Sequence, residues 1–400
     1  MEELIQFQNS LLKNLQKGWK RYLYGHLYED ERLLGIKGLR GVGKTTLLLQ
    51  FLDEYIVSNG KGLYVTAEHP FFYQQSIFDL ASLWSSYGGS LLMIDEVHRY
   101  PNWSRELKLI YDGIPSLKVV FTSSSALDLY KGEADLSRRL AVQVMEGMSF
   151  REFLSLHYQI TVSTFSLGEI LQQPQAVTEQ LTNQIKSPIL PLFKDYLNFG
   201  YFPFTSVGSK ERVPHRLIQI INTVLESDLA AVQGYSAANV FKIKQLLGII
   251  AQTVPFEPNI SKIAEKMHLG RQTVNIFLKH LGDAKILSLL FEEVRGISLL
   301  QKPGKIYLEN PNFLYAFESS PNLGTVRETF FMNQLRNSGH LVSLSKMGDF
   351  LVDEKFIFEI GGRNKDDNQI KGLEKAFLAL DDMEVGFGNK IPLWVFGFLY

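Results

Sequence analysis

The segment Gly38-Leu39-Arg40-Gly41-Val42-Gly43-Lys44-Thr45-Thr46 constrains this chain more than any other. It follows a short apolar run, Leu33 to Lys37, that fits a buried strand. It precedes a leucine-rich stretch, Leu47 to Ile56, that reads as a helix ending near Ser58-Asn59-Gly60. Strand, glycine loop and helix are the setting a phosphate-binding loop requires. Glycines let backbone N–H groups close around a polyphosphate, and the helix N-terminus adds a favourable dipole. Lys44 would reach the β- and γ-phosphates of ATP, and Thr45 would hold Mg²⁺ through its hydroxyl. The nine residues Gly38, Leu39, Arg40, Gly41, Val42, Gly43, Lys44, Thr45 and Thr46 are therefore candidate nucleotide-binding residues. A plain glycine turn with a surface lysine would leave the completeness of the motif and of its flanks unexplained.

A second signal lies about 50 residues on. Ser90-Leu91-Leu92-Met93-Ile94 is a continuous apolar strand that ends in Asp95-Glu96. Carboxylates at the C-terminal edge of such a strand sit where α/β folds bind ligands. Asp95 would support Mg²⁺, and Glu96 would polarise the attacking water as a general base. Gly62 to Thr66, Leu117 to Thr122 and Ala141 to Val144 supply three more strands, for a parallel five-stranded α/β sheet. The Leu117 strand ends in a Thr-Ser-Ser-Ser tip, where Ser124 is either a sensor of the γ-phosphate or part of a turn. Of the pair Arg138-Arg139, Arg139 is the candidate finger for a neighbouring subunit's nucleotide; the alternative is a surface arginine pair. His98 is either a link from the nucleotide to a partner or a satisfied structural histidine.

With 400 residues the chain is long enough for two to four domains. Its charge sum is 41 − 42 = −1, which argues against a general nucleic-acid coat without excluding a local basic face. The chain is 45% apolar, with 28 Phe and 17 Tyr, enough for several cores. The absence of cysteine excludes disulfides, iron–sulfur clusters, thiolate zinc sites and a cysteine nucleophile. The acidic start Met1-Glu2-Glu3-Leu4 does not read as a secretory signal, and the apolar run Ile391 to Tyr400 is too short to span a bilayer. A cytoplasmic protein without a membrane partner is expected.

The motifs resemble the AAA-type ATPases of bacteria and archaea that carry a C-terminal domain of unknown function. The likeness rests on Arg40 to Gln50, on Ile94-Asp95-Glu96-Val97-His98 with Trp103 downstream, on Phe121 to Leu127, and on Gly147 to Phe153. It implies a Mg²⁺-dependent ATPase at residues 1–150, with an extra strand between the loop strand and the acidic strand. A ring or dimer and an unidentified protein partner fit that resemblance.

Residues 151–235 read as a helical lid or connector. Residues 236–312 resemble a winged helix. There Asn259 caps a first helix, Val274, Phe277, Leu278 and Leu281 face inward on a second, and Ile286 to Phe291 with Lys305 to Leu308 form the wing. In a DNA-binding version Arg271, Gln272, Thr273, Asn275 and Lys279 would face the major groove. The same module would otherwise pack against protein and touch no DNA.

In residues 313–400, Asp349 to Val352 and Phe356 to Ile360 flank the turn Asp353-Glu354-Lys355. Pairing centred on Glu354 would set Asp349 opposite Glu359. A helix over Gln369 to Leu380 and a strand over Pro392 to Phe398 follow. This order resembles the restriction-endonuclease-like fold of the PD-(D/E)xK nucleases. The resemblance implies a second metal site at Glu328, Asp349 and Glu359, but the expected lysine position holds Gly361. A degenerate domain used for binding competes with an active nuclease.

Overall fold

The computed structural model describes residues 1–123, 136, 138–255, 257–292 and 302–400. The chain divides into two compact units, Met1–Glu146 and Gly147–Tyr400.

The first unit begins with helix α1 (Glu2–Lys13). Strands β1 (Leu33–Lys37), β2 (Gly62–Thr66), β3 (Leu91–Asp95), β4 (Lys118–Ser123) and β5 (Ala141–Val144) form one sheet in the order β2-β3-β4-β1-β5. Every pairing is parallel. Parallel strands need long crossovers, supplied here in part by α2 (Lys44–Asn59), α3 (Ile77–Ser86) and α4 (Trp103–Gly113). Helices cover both faces of such a sheet, so its inner strands read as unbroken apolar runs rather than as alternations. All five residues of β3 are buried. Strand β4 lies between β1 and β3, the insertion implied by the family resemblance. Leu33, Leu63, Leu92, Val119 and Phe121 share one core with Trp84 and Trp103.

The second unit opens with the helix Phe150–Tyr158, capped by a reciprocal pair of bonds between Ser149 and Glu152. Phe150 of this helix touches Phe193, Tyr196 and Phe398, and Phe193 and Tyr196 touch Phe330. The aromatic core thus joins residues near 150, 195, 330 and 398. This is why 151–235 and 313–400, expected as separate domains, fall with 236–312 into one unit. Within it, helices Ile260–Lys266 and Arg271–Asp283 precede antiparallel strands β6 (Leu287–Leu290) and β7 (Lys305–Leu308). The Asn259 side chain caps the first helix by accepting from Lys262 N–H at 3.1 Å. Val274, Phe277, Leu278 and Leu281 are buried, while Arg271, Gln272 and Lys279 are exposed.

The last sheet has the order β12-β11-β10-β9-β8, from β8 (Val342–Leu344), β9 (Phe350–Val352), β10 (Phe356–Gly361), β11 (Ala376–Leu380) and β12 (Lys390–Pro392). Two expectations fail here. The segment 369–380 is no helix: Gly372 and Lys375 take positive φ, and β11 follows. The strand over 392–398 is instead β12 followed by a 3-10 helix, Leu393–Phe398. Pro392 has no N–H for a ladder, and a run buried on all sides carries no period to separate strand from helix. Among the described residues no helix is long and apolar enough to cross a membrane.

His157 stacks on Phe153 at 4.4 Å and faces Phe199. Burial, helped by the Lys210 ammonium and opposed by Asp195, holds its pKa down at about 4. The neutral ring therefore stabilises the fold fully above its unfolded pKa of about 6.5, and that stability is lost as pH falls towards 4. His157→Phe is expected to flatten the acid limb of the unfolding curve between pH 7 and 4 by about 1–2 kcal/mol, after discounting for partial exposure. Urea melts at both pH values measure this; an unchanged acid limb would refute the assignment.

Candidate functional site

The glycine loop leaves β1 at Lys37 and enters α2 at Lys44. Gly41 and Gly43 adopt φ of 87° and 100°, which side-chain-bearing residues rarely take. At Gly38 a Cβ would come within 2.3 Å of the Met145 carbonyl, so the loop can pass β5 only without a side chain. Lys44 is 5% exposed, and its ammonium donates to the carbonyls of Gly38 at 2.8 Å and Leu39 at 3.2 Å. The ammonium therefore rests inside the loop that a polyphosphate would occupy.

The Asp95 carboxylate, at the end of β3, meets three hydroxyl donors. Oδ2 accepts from Thr45 at 2.6 Å and from Tyr64 at 2.9 Å, and Oδ1 accepts from Thr122. Burial first, and then the Asp95 charge, push the Tyr64 hydroxyl well above the usual phenol range, so it remains a donor. Thr45 Oγ1 and Asp95 Oδ2 are adjacent hard oxygen donors, the chemistry Mg²⁺ prefers, so these two residues fit the metal.

Glu96 follows with φ 53°, a left-handed backbone uncommon for a residue with a side chain. Its N–H donates to Thr122 Oγ1 at 3.0 Å. Its Oε2 lies 3.4 Å from His98 Nε2, and His98 Nδ1 lies 3.2 Å from Ser123 Oγ. The structure therefore brings Lys44, Thr45, Asp95 and Glu96 to one edge of the sheet. Ser124 lies outside the described residues. Arg139 makes two bonds to Asp112 of α4, at 2.8 and 3.0 Å, and so is engaged within its own chain.

Sequence reading missed Tyr64, Thr122 and Arg21. Arg21 is 4% exposed and donates to the carbonyls of Val42, in the loop, and Glu146. No short motif marks these residues, because each acts on a group 21 to 125 positions away.

In the second unit the three carboxylates of the expected metal site each have a protein partner. Glu328 accepts from Tyr307 hydroxyl at 2.6 Å, and Asp349 accepts from Ile360 N–H at 2.7 Å. Glu359, with a side chain 1% exposed, meets the Lys365 ammonium at 2.5 Å. The hairpin register follows the expected centre at Glu354, but it ends at Phe350↔Phe358. Beyond it, Asp349 N–H turns to the Phe358 carbonyl rather than pairing with Glu359. The Lys365 stem lies over Gly361, where a Cβ would come within 2.5 Å of it. Burial first, and then the Asp349 charge, raise the Glu359 pKa, with Lys365 opposing. Among the described residues no group of three His, Asp or Glu side chains is arranged to hold a metal ion. The three carboxylates of the expected second metal site thus lie beside one lysine and two neutral donors.

A parallel sheet with β4 between the loop strand and the acidic strand, and an oxygen-rich edge where Thr45 meets Asp95, gives the first unit the architecture of a P-loop nucleotide-binding domain. Residues 30–154 match the family described as AAA domain. An uncharacterised protein of Methanocaldococcus jannaschii is 24% identical over 300 residues, covering 70% of this chain; the chain spans 63% of that relative. Among solved structures, a Walker-type ATPase of Pyrococcus abyssi aligns with TM-score 0.44 and 14% identity, over 77% of this chain and 99% of that one. The ORC1 protein of Aeropyrum pernix, solved in complex with DNA, aligns with TM-score 0.32 and 13% identity, over 80% and 92%. Scores of this size do not equate whole-chain architectures.

Lys365→Met leaves the Glu359 charge buried without its cation, a cost of about 2 kcal/mol given the partly exposed lysine. The double variant Lys365→Met/Glu359→Gln is expected to recover most of that loss. Chemical denaturation of the four proteins of this cycle measures it; additive losses would show that the two side chains do not act on each other.

Proposed function

We propose that this chain binds ATP with Mg²⁺ at the first unit and hydrolyses it, and that nucleotide state controls a binding surface on the second. The observation that carries this reading is the convergence of Lys44, Thr45, Asp95 and Glu96 on the loop's sheet edge. When ATP enters, loop N–H groups take its phosphates, and the Lys44 ammonium exchanges the Gly38 and Leu39 carbonyls for phosphate oxygens. Thr45 and Asp95 would hold Mg²⁺, which would supply charge neutralisation to the polyphosphate. Glu96 orients the attacking water and accepts its proton. Arg139 of a neighbouring copy would stabilise the developing charge after leaving Asp112.

For the second unit we propose binding rather than cleavage. Its carboxylates are committed to Tyr307, Ile360 N–H and Lys365, which supports a degenerate nuclease-like domain. The helix Arg271–Asp283 presents Arg271, Gln272 and Lys279 to solvent, the face a duplex DNA partner would use; an unidentified protein is the other candidate.

Phosphate release with Mg²⁺, with and without duplex DNA, tests the scheme. Lys44→Ala is expected to weaken ATP binding about 10-fold or more, by removing a charge-assisted contact. Glu96→Gln should keep ATP affinity and lose at least about 100-fold in kcat. Undiminished turnover in Glu96→Gln removes it as the base. Tight binding without wild-type turnover would make the chain an ATP-gated switch. Mn²⁺-dependent nicking of supercoiled DNA that disappears in Asp349→Ala would overturn the non-cleaving reading.

A further inference from the structure

We propose that His98 is a positioning residue for the general base, joining Ser123 at the tip of β4 to the carboxylate of Glu96. The proposal rests on the ATPase reading and deepens it.

His98 sits in the single 3-10 turn Val97–Arg99 that starts directly after Glu96. The turn is pinned by Arg99 N–H on the Glu96 carbonyl at 2.9 Å, and by Tyr100 N–H on the Val97 carbonyl at 3.0 Å. The Val97 side chain is fully buried beside it. The imidazole is 2% exposed, so its ring has little freedom to turn. Its two nitrogens face two different groups: Nε2 lies 3.4 Å from Glu96 Oε2 and Nδ1 lies 3.2 Å from Ser123 Oγ. One proton arrangement serves both contacts. With the Ser123 hydroxyl donating to Nδ1, the tautomer leaves Nε2–H facing the carboxylate as the donor it would use on closure. A base held by a ring whose far nitrogen is held in turn is the general pattern of an oriented catalytic group. Glu96 Oε2 is buried and makes no hydrogen bond as it stands, so His98 Nε2 lies beside it at a distance that substrate binding would close.

The same strand tip already holds the neighbouring acid. Thr122 donates to Asp95 and accepts from Glu96 N–H. Strand β4 therefore reaches the metal-side carboxylate through Thr122 and the water-side carboxylate through Ser123 and His98. A shift of this tip would move both acids together. Glu96 needs such a restraint more than Asp95 does, because Asp95 has three hydroxyl donors of its own.

Steady-state ATP hydrolysis, ATP affinity and melting temperature of the full chain test this. His98→Ala is expected to lower kcat by roughly 10-fold or more with ATP affinity close to wild type, and to lower the melting temperature modestly because the buried ring leaves a cavity. His98→Gln keeps an N–H donor within reach of Glu96 and is expected to recover most of that loss. In a Glu96→Gln background His98→Ala should cost nothing further, since it would act through a group already gone. Unchanged or faster turnover in His98→Ala, or the same fold-loss in both Glu96 backgrounds, overturns the proposal. Histidine-selective NMR judges it without turnover. The His98 ring signal, assigned by its loss in His98→Gln, is expected to shift in Glu96→Gln, and an unmoved signal overturns the proposal. A wild type that binds ATP without hydrolysing it counts against the ATPase reading alone; the His98 contact is then decided by the NMR result.

Discussion

The buried carboxylate of Asp95 organises the first unit. A carboxylate that is 4% exposed is tolerated only if donors replace the water it has lost. Here the donors come from three elements: Thr45 in the first turn of α2, Tyr64 on β2 and Thr122 on β4. One charge therefore ties the helix after the glycine loop to strands on both sides of β3. The strand order makes this reach available, because β3 has β2 and β4 as its immediate neighbours. Had β3 lain next to β1, the hydroxyl at the tip of β4 would have had no line to the acid.

A second clamp holds the loop through Val42. The Arg21 guanidinium bridges the Val42 and Glu146 carbonyls, and the Tyr22 hydroxyl donates to the Val144 carbonyl. Gln8 of α1 accepts from the Tyr64 backbone N–H. The residues before position 30 lie outside the AAA-family match, yet they brace both the loop and the edge strand β2. The loop is thus pre-shaped by contacts that do not themselves touch a phosphate, and this lowers the ordering cost of ligand binding.

What could be read from the sequence follows a physical division. Strands β1 to β4 were legible because burial writes each largely as an apolar run, whereas β5 is only half-buried, and the loop was legible because its chemistry lies in nine consecutive residues. The hairpin after Phe350 was legible because a short turn fixes its register, as Phe350↔Phe358 and Val352↔Phe356 show. The side chain of Asp349 was not, because the ladder ends one residue short of it. Tyr64, Thr122 and Arg21 left no local trace, since a hydrogen bond between distant segments has no sequence period. The tail misled for a related reason: Leu393–Phe398 is buried in every direction, and uniform burial erases the alternation that distinguishes a strand.

The Arg139–Asp112 pair has a consequence for how a finger could operate. Both side chains are substantially exposed, and the pairing lowers the Asp112 pKa and raises that of Arg139. An exposed pair is held weakly, because water and salt screen it. A polyphosphate presents more negative charge than one carboxylate and accepts the same two-pronged guanidinium geometry. Pairing with Asp112 is therefore compatible with a finger role: it would park the arginine, preventing it from wandering while no neighbouring nucleotide is present. The same pair attaches the segment before β5 to α4, the helix that follows the acidic strand and leads into β4.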